Sequence, residues 1–387
     1  MTLEGEIVVT LDWDGRRVLR ARVRSTRPLA APRVLAGRSA REAAAMVPLL
    51  YGVCANAQGA AAAGALESAS ARDPSVALLR ARSLAVALEA LQEDLRRLLI
   101  DVPEAAGMPG AIATAAAARK AIAPLLAELR GALACDADAP VVAVDRTAAL
   151  GASLRRQVEG DVLGVAADAF AAFDAAQHFV DWSRSAGTAP ARVVRHVLDG
   201  APGLGASDVG TMPAPSPAAI GAVVLPALDA DAGFAHAPRW AGKAVETGAL
   251  ASCADHPGVG GFVAAHGNGV AARLLARLVE VARVVVGLSA GDVAPRVAAW
   301  SPRAGEGAAA VATARGLLLH RARVERGRVT DYAIVAPTEW NFHPDGALAR
   351  GLAGIATRDE TALVRAANLV VQALDPCVAC TVEVARA

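Results

Sequence analysis

Aromatic side chains are scarce: Phe, Trp and Tyr together make up 3% of the 387 residues. A β-sandwich or propeller draws on such residues in its many short strands, so neither architecture fits. Neither sign of charge is in excess, with 39 Lys and Arg against 38 Asp and Glu and a net charge of +1. The chain therefore carries no electrostatic footprint for nucleic acid or an acidic membrane surface. Five cysteines in a chain this long cannot form a disulfide framework. Met1 to Thr10 has neither the basic start nor the apolar run of an export signal, so a cytoplasmic protein is expected. The longest uncharged stretch, Val209 to Leu228, is interrupted by Pro213, Pro215, Pro217 and Pro226, which argues for a linker-like loop and against a membrane span.

What the chain does have is alanine, within a composition that is 54% hydrophobic and 20% charged. Small helix formers in that abundance predict closely packed helices. The fold class expected is α-rich (α+β), a central helix bundle with small β-hairpins. The first hairpin is read at Glu6 to Trp13 and Arg17 to Arg24, around Asp14-Gly15. Ser39 with Glu42 makes a capping box ahead of a helix to about Leu50, and a second helix follows Cys54, which places that thiol at a break. Helical periodicity also marks Ser75 to Asp101, Ala111 to Ala134, Asp161 to Arg184 and Asn268 to Leu288. A second hairpin is read at Gly316 to Val324 and Arg328 to Val335, and a last helix at Asp359 to Leu374. The whole is taken as one intertwined domain, 1–387. It comprises a hairpin region (1–36), a bundle (37–186), a loop-rich insertion with short strands (187–267), and a final part (268–387) with helix, hairpin and C-terminal C-x-x-C.

Chemistry concentrates at the tail, Asp375-Pro376-Cys377-Val378-Ala379-Cys380. A C-x-x-C on a turn after a helix sets two thiols close together, and soft thiolates suit zinc, copper(I) or iron. Cys54 is the candidate partner thiol, whereas Cys135 and Cys253 read as small buried hydrophobes. On the residues alone, redox, zinc and structural-thiol readings stay open. The seven histidines show no second paired spacing to complete a zinc site.

In order along the chain, Leu3-Glu4-Gly5-Glu6, Gly37-Arg38 through Tyr51-Gly52-Val53-Cys54, and Gly242-Lys243 through Glu246-Thr247-Gly248-Ala249-Leu250-Ala251 are followed by two further blocks. These are Ala314-Arg315-Gly316 with Ala336-Pro337-Thr338-Glu339-Trp340-Asn341, and the terminal D-P-C-x-x-C. This succession resembles the large subunits of nickel-iron hydrogenases, and most closely the degenerate maturation-factor members of that family. The resemblance implies that Cys54 and Cys380 stand where thiolates bridge nickel and iron, and that Cys377 stands where a terminal nickel thiolate does. Arg315 and Thr338, with Pro337 beside them, match positions that donate to iron-bound cyanides.

Departures from the pattern shape the expected function. Tyr51 stands where a fourth thiolate would be, Leu49 for an arginine, Gln58 for a histidine, Ala312 for an acidic residue and Glu383 for the terminal histidine. Nickel and the family's structural magnesium are therefore not expected, nor is a C-terminal extension for a protease to remove. Glu4 matches a proton-transfer position but is given no role, and Trp340 and Asn341 read as packing and turn residues. The resemblance then implies a non-catalytic assembly scaffold that transiently holds an Fe(CN)2CO unit and delivers it to the hydrogenase large-subunit precursor. Its partners would be that precursor and general maturation proteins of the HypC/HypD type, with no nucleic acid and no membrane. The alternatives are a metal-free adaptor that mimics the large subunit and a catalytic large subunit with altered ligation.

Overall fold

The computed structural model describes residues 5–28, 31–140 and 144–386; Leu3 and Glu4 of the opening block lie outside them. Strands β1 (Glu6–Trp13) and β2 (Val18–Ser25) form the expected hairpin, with inward residues Ile7, Val9 and Leu11 fully buried. Its loop is looser than a two-residue turn. Gly15 alone takes a positive φ there, and the Asp14 carboxylate accepts from the backbone N–H groups of Arg16 and Arg17.

The helices are α1 (Ala40–Leu50), α2 (Ala55–Ala69), α3 (Val76–Arg96), α4 (Val102–Ala105), α5 (Ile112–Leu129), α6 (Val144–Val158), α7 (Ala167–Ala171) and α8 (Ala176–Ser185). After these come α9 (Ala189–Gly200), α10 (Pro217–Ala230), α11 (Ala249–Ser252), α12 (Pro257–His266), α13 (Val270–Ser289), α14 (Pro337–Asn341), α15 (Ala347–Leu352) and α16 (Glu360–Leu374). The capping box at Ser39 and Glu42 is formed, and a 3-10 turn at Gly52–Cys54 separates α1 from α2. Helix α13 is the central rod, packed against α6, α7, α9 and α16.

Three expectations need correction. Asp161 to Arg184 is not one helix, because Gly164 turns left-handed and the chain restarts as α7 and α8. The 187–267 segment holds α9 to α12 rather than short strands; among its described residues only isolated bridges occur, such as Thr211 with Glu246. Its prolines mislead when read as breakers. Pro190, Pro217 and Pro257 sit in the first turn, behind capping side chains of Thr188, Ser216 and His256, where a missing N–H costs nothing. Val209 to Leu228 is accordingly loop only as far as Ser216, and beyond it α10 begins. No helix among the described residues is long and apolar enough to cross a membrane.

The second hairpin belongs to a four-stranded antiparallel sheet, β3 (Val297–Arg303), β4 (Glu306–Thr313), β5 (Gly316–Glu325) and β6 (Arg328–Val335), in that spatial order. The alanine-rich β4 has little intrinsic strand preference, and packing decides it. Helix α2 lies directly on β4 and β5. A Cβ on Gly307 would stand 2.0 Å from the Ala65 carbonyl oxygen, and one on Gly64 would stand 3.0 Å from Ala299 Cβ. Only small residues allow this approach. The tail, read as a turn, also continues as a strand: β7 (Ala379–Arg386) pairs in parallel with β1 and sets Cys380 opposite Ile7. Gly307→Ala is expected to lower the unfolding free energy by about 1–3 kcal/mol through overpacking, measured by denaturant titration; an unchanged midpoint would refute the close-approach account.

Candidate functional site

Cys54 closes the 3-10 turn and opens α2, but it does not cap the helix. Glu89 of α3 does so from outside, accepting from the backbone N–H of Asn56 at 2.8 Å, from that of Ala57 at 3.0 Å and from the Asn56 amide at 2.7 Å. The positive end of the helix dipole is thus taken by a carboxylate. Burial, with the nearby Cys377 and Glu89, pushes the Cys54 thiol up to about 12, against the opposing pull of Arg315. The sulfur receives the Gln58 amide N–H at 3.8 Å.

Cys377 is placed from the other end of the chain. Helix α16 stops at Asp375, whose backbone is left-handed at φ 57°, and Pro376 leads to the thiol. Asp375 is buried beneath three arginines: Arg97 at the end of α3, Arg277 of α13 at 3.0 Å, and Arg315 in the β4–β5 turn at 3.3 Å. Burial alone would raise this carboxyl. The guanidinium groups of Arg315, Arg97 and Arg277 outweigh it and hold Asp375 well below the usual carboxylate range. Arg277 also pairs with Asp94, and Arg315 with Glu93 at 2.8 Å. Thr338 of α14 then fixes Cys377 directly: its hydroxyl donates to the sulfur at 3.0 Å and accepts from the Cys377 N–H at 3.3 Å.

The two ends meet at a cavity of about 330 Å³, whose lining includes Cys54, Cys377, Arg315, Arg27, Tyr51 and Gln58. Pro337 contributes to the wall, and Thr338 is buried behind Cys377. Arg27 pairs with Glu339 at 2.8 Å, so it enters as an ion pair. Cys380 is not part of the lining. It lies on β7 with its side chain packed against the core, and burial pushes its thiol up to about 12. Among the described residues, no group of three or more His, Cys, Asp or Glu side chains is close enough to hold a metal ion.

The sequence blocks lock together around Arg315. Thr247 Oγ1 accepts from the Leu317 N–H at 3.0 Å, Asn341 Oδ1 accepts from the Thr247 N–H at 2.9 Å, and the Asn341 amide donates to the Arg315 carbonyl at 3.1 Å. Trp340 is fully buried, as a packing residue is, whereas Asn341, read as a turn residue, ties Thr247 to the Arg315 backbone. Cys135 and Cys253 are buried beside backbone carbonyls, as small hydrophobes would be. Of the departing positions, Leu49 is 85% exposed, Glu383 faces Thr10 across the β1–β7 ladder, and Gln58 is buried.

Residues that sequence reading missed are Arg27, Glu89 and two of the three arginines over Asp375, Arg97 and Arg277. Glu89 inside the apolar run 84–91 of α3, and Asp94 and Arg97 beside Leu95 and Leu98, were the available signal, since a buried charge requires a partner. Two outcomes are expected. Asp375→Asn should cost about 3–5 kcal/mol at neutral pH by removing the one carboxylate that three buried guanidinium groups share. Because the folded carboxyl is depressed, the wild-type advantage is complete above the unfolded value of about 3.9 and shrinks as pH falls below it; equal stability at pH 7 in denaturant titrations would overturn this. Cys54 and Cys380 should react with iodoacetamide roughly 10²–10³ times more slowly at pH 7 than an unperturbed thiol, as read by mass spectrometry.

A family model described as nickel-dependent hydrogenase matches residues 271–383. The chain is 32% identical over 386 residues to the hydrogenase expression/formation protein HoxV of Cupriavidus necator, covering 93% of this chain and 92% of that one. It is also 32% identical over 368 residues to the hydrogenase expression/formation protein HupK of Azotobacter vinelandii, covering 92% and 91%. In fold it is similar to the Ni-Fe-Se hydrogenase of D. vulgaris Hildenborough, with a TM-score of 0.63 at 19% identity over 93% of each chain. The long alignments at that identity place the chain in the nickel-iron hydrogenase large-subunit family, as a degenerate member of the HoxV/HupK hydrogenase expression/formation type.

Proposed function

We propose that this protein is a hydrogenase maturation factor, a non-catalytic cytoplasmic scaffold that takes an Fe(CN)2CO unit as cargo and passes it to the hydrogenase large-subunit precursor. One observation carries the reading: Cys54 and Cys377, from opposite ends of the chain, line one cavity together with Arg315. Soft thiolates suit such an iron, and its cyanide nitrogens need donors in a site shielded from water. Arg315, oriented by Glu93 on Nη2 and Asp375 on Nε, lines the cavity, where its guanidinium would serve as the cyanide donor. The Thr338 hydroxyl steadies Cys377. Cys380, which lies on β7 outside the lining, is the third sulfur that the family resemblance implies.

Tyr51 lines the cavity where the resemblance puts a fourth thiolate, and a phenol is a poor soft ligand. The grip is thereby one sulfur short of a binuclear site, which disfavours nickel and favours release. Thiols must lose their protons to bind metal, so loading expels protons from a site that holds Cys54 neutral when empty. Docking partners in this reading are the large-subunit precursor and maturation proteins of the HypC/HypD type.

A second reading, a metal-free adaptor that mimics the large subunit, draws on the position of Cys380 outside the cavity lining. Infrared spectra of protein co-expressed anaerobically with the maturation machinery separate the two. The scaffold should show metal-cyanide and metal-carbonyl bands that disappear in Cys54→Ser and Cys377→Ser, with hydrogenase maturation lost in cells. Bandless wild-type protein, or thiol variants that still support maturation, would favour the adaptor.

A further inference from the structure

Behind Cys54 a chain of side chains from three elements runs through the core. Gln58 of α2 reaches the sulfur through Nε2 at 3.8 Å, its Oε1 is 2.9 Å from His320 Nε2 on β5, and His320 Nδ1 is 2.7 Å from the Tyr332 hydroxyl on β6. Gln58 is 2% exposed and His320 is fully buried, and desolvation holds the imidazole neutral. A neutral imidazole has a single N–H, so its two contacts are coupled: if one nitrogen donates, the other accepts. The amide obeys the same rule, since its oxygen accepts and its nitrogen donates. The whole relay can therefore run in only two directions. In one, Tyr332 donates to Nδ1, Nε2–H donates to Oε1, and the amide N–H reaches the sulfur. In the other, all three are reversed, and the amide oxygen faces Cys54.

The placement of the amide chooses between them. Nε2 is the Gln58 atom on the sulfur and Oε1 the one facing His320, so His320 Nε2 must carry the proton and Nδ1 must accept from Tyr332. A phenol is also a better donor than acceptor toward a basic imidazole nitrogen. We propose that Gln58, His320 and Tyr332 form a one-way donor relay ending on the Cys54 sulfur, in which His320 is the positioning residue that keeps the amide N–H, not its oxygen, on that sulfur. A donor on a thiolate withdraws electron density from it, so the relay weakens the Cys54–iron bond and eases hand-over. This last step rests on the scaffold reading; the relay itself does not.

Two measurements on the full chain test it. In the metal-free protein, nitrogen-15 spectra of labelled histidine should show His320 as the Nε2–H tautomer, and an Nδ1–H tautomer would overturn the relay's direction. In protein co-expressed with the maturation machinery, His320→Phe should move the carbonyl and cyanide bands to lower wavenumber, because a sulfur without its donor pushes more density onto iron. Tyr332→Phe, which deletes one hydroxyl, should shift them the same way by less and serves if His320→Phe does not fold. Bands of unchanged position in the folded variants would refute the tuning role while leaving the scaffold intact. Absence of bands in the wild type would refute the scaffold, with the tautomer still deciding the relay.

Discussion

One buried carboxylate organises the molecule. Asp375 ends the last long helix in a left-handed turn and draws three arginines, from the end of α3, from α13 and from the β4–β5 turn, onto a single anionic centre. Burying these charges is costly, and the cost is offset only because each guanidinium finds further acidic partners in Glu93, Asp94 or Asp101. Such a network is a poor source of net stability and a strong source of geometry. It fixes where Pro376 and Cys377 emerge, and it fixes Arg315 against the same cavity. The thiol and the cation thus share one mechanical reference.

The opposite wall follows from size rather than charge. Helix α2, which begins at Cys54, lies on β4 and β5 so closely that glycine and alanine are required on both surfaces. The capping of α2 by Glu89 leaves the sulfur without the electrostatic help that a helix start often provides. Its environment is instead burial, one amide donor and the relay behind it. Cys54 and Cys377 therefore differ in character although they line the same space. The first is embedded in helix and sheet, and the second is held by a hydroxyl on a short turn.

Much of this was legible in the residues. The capping box at Ser39, the break at Cys54, the Gly316 hairpin and the long helices at 76–96 and 270–289 all obey local rules of periodicity and capping. The failures share a cause. The segment 187–267 reads as loop because a one-dimensional scan does not see that Pro190, Pro217 and Pro257 each lie in the first turn of a helix. Strand β4 looks helical by composition, since its alanines answer to α2 across the interface rather than to their own neighbours. At the site, Cys54 and Cys377 were legible from spacing and a helix break, and Arg315, Pro337 and Thr338 through motif resemblance; the structure gathers them at or against one cavity. Cys380 shows the limit of spacing arguments: two residues three apart on a turn would share a site, but the chain has already entered β7, where alternation turns Cys380 with Val382 and Val384 toward the core. Arg27 and the His320 relay were invisible because each acts only through partners far away in sequence.

The parallel ladder between β1 and β7 joins segments from opposite ends of the polypeptide. Neither end alone makes the cavity: Cys54 and Cys377 can line a common space only once β7 has docked along β1, so the pocket is a property of the closed chain rather than of any local segment.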